Sequence, residues 1–133
     1  AVPEEMLRKW VKEGTIEWWG RREDMPDVLA QARVVCLPTW YGEGVPRVLI
    51  EAAACGRAVV ASDLPGCREV VVDGVSGYLV STEDADALSL ALKRLLASPP
   101  LCIRFGSAAR KIAIEKHDVR AVVRATINCY QQA

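Results

Sequence analysis

The chain has 133 residues, 51% of them apolar and 26% charged, with 17 Lys+Arg set against 17 Asp+Glu. A chain of that length buries about two-thirds of the surface its unfolded form exposes, enough for one compact domain and not for two. Zero formal charge and the lack of any Lys/Arg-rich run supply no positive field for a polyphosphate backbone, so no nucleic-acid partner is expected.

Residues 3–13 open with Pro3 and two acids and stop before Gly14, the punctuation of a helix. The run Thr15-Ile16-Glu17-Trp18-Trp19, closed by Gly20, is β-branched and aromatic and predicts a strand. Met25, Val28, Leu29 and Ala32 return to helical spacing over 25–33. Val34-Val35-Cys36-Leu37, stopped by Pro38, then predicts a buried parallel strand. After a loop with Gly42 and Gly44, Pro46 occupies a first helical position, and Arg47 to Cys55 makes a nearly all-apolar helix ending at Gly56.

Ala58 to Ala61 predicts the next buried strand, 64–67 a turn, and 68–72 a short element of undetermined type. Asp73-Gly74 and Ser76-Gly77 bracket a tight turn before the strand Tyr78-Leu79-Val80. From Asp84 onward the pattern is helical: Ala85, Leu88, Leu92 and Leu95, then a helix after Ser98-Pro99 through Ile112, then a third capped by Asp118. Alternating strands and helices predict an α/β fold, a partial Rossmann-like parallel sheet of about four strands with C-terminal helices. Residues 1–133 form a single incomplete domain in this reading.

Apolar stretches are broken by charge within a few residues, so no membrane-spanning helix is expected. An acidic N-terminus, Ala-Val-Pro-Glu-Glu, is unlike a signal peptide, which makes a cytoplasmic location the default. Cysteines at 36, 55, 67, 102 and 129 fit neither a disulfide framework nor zinc-ligand spacing and read as small buried hydrophobes. His117, near a helix boundary, reads as a solvated side chain, and with no cluster of metal-ligating residues no metal or other cofactor is expected.

In open α/β sheets ligands bind beyond the carboxyl ends of the strands. Three loops fall there, at 20–24, 38–46 and 62–67. The middle one joins strand to helix through glycines and offers the backbone N–H groups of Gly44, Val45 and Arg47 at a helix start, where anions are favoured. Glu43 precedes that helix and Glu51 lies in its second turn, so both could reach one ligand of nucleotide-sugar size. Each has a plainer reading: Glu51 as an i, i+4 partner of Arg47 in the weaker cation-first order, Glu43 as a carboxylate near a helix dipole. A glycine-containing loop with nothing bound is the corresponding reading of the loop itself.

The run Pro38-Thr39-Trp40-Tyr41-Gly42-Glu43-Gly44-Val45-Pro46-Arg47-Val48-Leu49-Ile50-Glu51-Ala52 resembles the E-x7-E signature of the glycosyl transferase group 1 family, glycosyltransferase family 4. The segments 16–20, 25–29, 53–71 and 73–80 resemble that family on either side of the signature, so the likeness extends over essentially the whole chain. It implies the C-terminal half-domain of a GT-B fold and a hexosyltransferase-type, retaining glycosyl transfer from a nucleotide sugar, most plausibly a UDP-sugar. By the same likeness, Glu43 is the catalytic carboxylate contacting donor-sugar hydroxyls near the reacting carbon, and Glu51 holds the ribose. The diphosphate would fall to the backbone of Gly44, Val45, Pro46 and Arg47, and the base to the loop at Gly20 and Arg21. Metal-independent chemistry is implied as well, and contact with the inner membrane only through the complete enzyme.

The likeness also implies that the chain begins inside the second domain. The acceptor domain and the two opening strands would be missing, together with the Arg and Lys that neutralise the leaving diphosphate, so negligible activity is expected of the chain alone. A Rossmann order of 3-2-1-4-5-6 without strands 1 and 2 leaves 34–37 as an apolar sheet edge. The expectation is that 15–19 pairs directly with 34–37, or that two copies pair their edges as a homodimer. A separately encoded acceptor-domain partner chain, or an oligomerising remnant with no ligand, are the alternatives.

Overall fold

The structure, a computed structural model, describes residues 3–18, 24–39 and 44–117. Helix α1 (Glu4–Lys12) carries Glu4 and Glu5 in its first turn and Lys9 and Lys12 in its last, opposing the helix dipole at both ends. It buries none of its residues. Arg8 holds Glu4 at 2.8 Å and lies over the Trp18 ring at 5.9 Å, so local pairs support α1. Thr15–Trp18 forms no strand, and among the described residues it does not join the sheet. A β-branched run is stable as a strand only with a ladder partner, so the local signal at 15–18 yields no strand and, among the described residues, the expected four strands become three; Trp19 lies outside them.

Those three strands are β1 (Val34–Leu37), β2 (Ala58–Ser62) and β3 (Gly77–Val80), all parallel in the order β1-β2-β3. Val34 pairs with Ala58 and Val59 with Gly77. Between β1 and β2 runs α3 (Arg47–Ala54), and between β2 and β3 the one-turn α4 (Pro65–Arg68), which replaces the expected turn at 64–67 because Pro65 suits a first helical position. Helix α2 (Met25–Gln31) precedes β1, while α5 (Ala85–Leu96) and α6 (Pro99–Lys116) follow β3. The helix expected from Asp118 lies outside the described residues.

All five residues of β2 are buried, as a central parallel strand requires. Val59 and Ala61 face a layer of α2, α3 and the second half of α6, with Leu29, Leu49, Ala53 and Ala109 in it. Ala58 and Val60 face α5 and the start of α6, with Ala91, Leu95 and Phe105. Phe105 meets Tyr78 edge to face at 5.1 Å between ring centres. Cys67 and Cys102 are buried thiols as expected, whereas Cys36 is an exposed thiol on β1, and Cys55 is disulfide-bonded. His117 ends α6 with Nε2 buried and unpartnered, instead of solvated.

Helix α3 ends in a Schellman motif. Gly56 has φ +70°, its N–H donates to Ala53 O at 2.9 Å, and the Arg57 N–H donates to Ala52 O at 3.1 Å. That turn brings the chain straight into β2, and α6 crosses it so closely that Gly106 faces Gly56 O with no room for a Cβ.

Candidate functional site

The carboxyl end of β1 and the start of α3 are joined by a short segment whose described part is Gly44-Val45-Pro46. Pro46 is the N-cap, extended at φ −66° and ψ 123°, so Arg47 and not Pro46 is the first helical residue. The Pro46 carbonyl accepts from the N–H groups of Leu49 at 3.1 Å and Ile50 at 3.4 Å. The N–H groups of Arg47 and Val48 precede these first intrahelical bonds and point out of the helix end. Leu37, Gly44, Val45, Pro46, Arg47 and Val48 line a cleft of about 220 Å³ over that end. Among the described residues nothing lies within 4 Å of a Cβ position at Gly44, so its backbone is uncovered by them.

One turn up α3, Glu51 Oε1 accepts from Arg47 Nε at 3.1 Å, the Glu51 side chain being 17% exposed and that of Arg47 78%. The plainer reading of this pair is therefore present in the structure. Of the residues expected to act together, Gly44, Val45, Pro46 and Arg47 share the cleft, with Glu51 tied to its rim through Arg47. Glu43, Gly20 and Arg21 lie outside the described residues.

A second cleft, about 190 Å³, opens beyond the ends of β2 and β3, where Pro38, Ser62, Ser81, Glu83 and Asp84 come together. Beside it Arg68 Nε donates to Asp63 Oδ1 at 2.6 Å, and this hydrogen bond, with the charge of Asp63, holds the guanidinium above its ordinary pKa. Asp84 Oδ1 caps α5 by accepting from Ala87 N at 2.9 Å. The sequence points to loop 62–67 without singling out these side chains. The available signal is an acid directly after a buried strand, five residues before a basic one. Among the described residues there is no group of three His, Cys, Asp or Glu able to hold a metal, and no helix long and apolar enough to cross a membrane.

The family model for glycosyl transferases group 1 matches residues 2–98. This chain belongs to that family. The MMP alpha-(1->4)-mannosyltransferase of Mycolicibacterium hassiacum is 38% identical to this group 1 chain over 112 residues, covering 84% of the chain and 27% of that enzyme. An N,N'-diacetylbacillosaminyl-diphospho-undecaprenol alpha-1,3-N-acetylgalactosaminyltransferase of Campylobacter jejuni is 28% identical over 124 residues, 93% of the chain and 32% of that enzyme. Among solved structures, Anabaena HepE in complex with UDP superposes with a TM-score of 0.79 at 25% identity, over 96% of this chain and 35% of that one. The group 1 chain thus spans about a third of the length of these relatives. Its α/β fold is that of part of a GT-B glycosyltransferase, with three strands among the described residues where about four were expected.

Proposed function

We propose that this chain is the donor-binding part of a retaining glycosyltransferase that takes a UDP-sugar. The observation that carries the reading is the open cleft at the N-terminus of α3, lined by Gly44 to Val48, with the largely shielded carboxylate of Glu51 one turn away. A diphosphate seated there meets the N–H groups of the first turn and the positive end of the helix dipole. Glu51 accepts from ribose hydroxyls through its second oxygen while Arg47 holds the first. Glu43, just ahead of the cleft in sequence, contacts the donor sugar near its reacting carbon. Anabaena HepE, which shares the fold, has been solved with UDP and with UDP-glucose.

The chain alone is catalytically silent in this proposal. The leaving diphosphate needs cations, and Arg47, the arginine lining the cleft, is engaged with Glu51. Turnover then depends on an acceptor-binding region, in the same polypeptide or in a partner chain. Calorimetric titration tests the donor site: UDP binds the unmodified chain, and Glu51→Ala weakens binding about 10- to 100-fold, the worth of hydrogen bonds to a carboxylate. A chain indifferent to UDP and to UDP-sugars is an oligomerising remnant instead.

The sheet edge supports a second statement. β1 has β2 on one side only, and among the described residues nothing pairs with its other side. An unpaired apolar edge is a template for a further strand, and we infer that two copies join there as a homodimer. Light scattering coupled to size exclusion should return twice the chain mass, and Cys36→Lys, which charges that strand at an exposed position, should halve it. A monomer at all concentrations contradicts the pairing.

A further inference from the structure

Val34 pairs with Ala58, so the residues just ahead of these two strands, Arg33 and Arg57, leave the amino end of the sheet side by side on strands about 4.8 Å apart. Neither guanidinium group pairs with a described carboxylate. Arg57 Nη2 donates to Ala30 O at 2.8 Å, which anchors the side chain against the end of α2, yet its Nε is buried without an acceptor. Buried donors on a charged group are nearly always matched, so this one calls for an acceptor.

Arg33 and Arg57 line a cleft of about 170 Å³ with Gly56, Pro99, Cys102 and Ile103. The start of α6 does not itself supply donors to it. Pro99 and Pro100 have no N–H, while those of Leu101 and Cys102 are taken by Ser98 O at 3.1 Å each. The donors are thus the arginines, and the α6 dipole adds positive potential of the same sign. What such a cleft lacks is a compact oxyanion with several acceptor atoms.

We propose that the Arg33–Arg57 cleft binds a phosphate group. It sits at the amino ends of β1 and β2, opposite the carboxyl-end cleft at Gly44 to Val48, and so is separate from the donor site. Binding gives the two guanidinium groups that line the cleft a shared counter-anion.

Inorganic phosphate titrated into the 133-residue chain at constant ionic strength, with chloride as control, tests this through backbone amide chemical shifts. Saturable shifts are expected at residues 33–34 and 56–58. Arg33→Gln, at an exposed position that leaves the fold intact, should weaken the response about tenfold, as should Arg57→Lys, which keeps the charge and loses the fork. Glu51→Ala should leave it unchanged. Vesicles of mixed phosphatidylcholine and phosphatidylglycerol form a second arm. Sedimentation with them that is lost in Arg33→Gln assigns the phosphate to a lipid headgroup, whereas phosphate binding without sedimentation assigns it to a soluble phosphate ester. No saturable shift with either probe, or the same shift in Arg33→Gln as in the unmodified chain, overturns the proposal.

Discussion

Gly106→Ala lowers the urea midpoint of the chain with little change in the slope of the transition, corresponding to a loss of about 2 kcal/mol. Two effects oppose each other at this site. Alanine in a helix interior is favoured over glycine by roughly 1 kcal/mol, and Gly106 lies inside α6. Against that, an added methyl group meets the carbonyl oxygen and carbon of Gly56 and stands 3.5 Å from Arg57 N. These are backbone atoms of a turn already committed to a Schellman motif, so they cannot rotate aside, and the overpacking term, about 1–3 kcal/mol or more, outweighs the propensity gain. By thermal melting the midpoint should fall by roughly 8 °C, taking about 4 °C per kcal/mol for a domain of this size. An unchanged or raised midpoint means that α6 is free to move away from the α3–β2 turn, and the packing described for the two layers is then wrong.

Leu49→Ala has the larger expected cost, about 2–5 kcal/mol. Leu49 is fully buried on α3, in the layer formed with Val59, Ala61 and α6. Removing its side chain leaves a cavity beneath the helix that carries both Arg47 and Glu51. The stability loss is expected to exceed that of Glu51→Ala several-fold, because Glu51→Ala removes an i, i+4 pair worth only about 0.3–0.5 kcal/mol. The two variants therefore separate fold from site. Glu51→Ala should keep its denaturation midpoint and bind UDP about 10- to 100-fold more weakly, and Leu49→Ala should lose its midpoint first. A Glu51→Ala chain that unfolds as readily as Leu49→Ala would make Glu51 a structural residue and remove it from the donor site.

Much of the architecture follows from local pattern. The strand expected over 34–37 coincides with β1, and the one over 58–61 lies within β2, because uninterrupted β-branched and apolar runs between turn formers suit strands covered on both faces. The helix expected over 47–55 differs from α3 at its last residue, where Gly56 supplies the left-handed turn, and in Pro46, which caps the helix and is not its first residue. The Arg47–Glu51 pair was equally legible, since residues four apart on a helix are neighbours whatever surrounds them. By contrast 15–18 carries the composition of a strand without, among the described residues, the neighbour that a strand needs, and composition holds no information about that neighbour.

The amino-acid order by itself determined most of the segments that become strands and helices, though not the fate of 15–18 or the one-turn α4, and also that the strands run parallel and that a glycine-bearing loop opens onto the start of α3. Only the tertiary structure decided that Arg33 stands beside Arg57, that Gly106 touches Gly56, and that Asp63 reaches Arg68 next to the cleft lined by Ser62, Ser81 and Asp84. The physical reason is the range of the forces involved. Propensity, capping and i, i+4 contacts act within a turn or two of chain, whereas strand register and helix crossing are set by burying apolar faces of distant segments against one another, and those faces fix which polar groups meet.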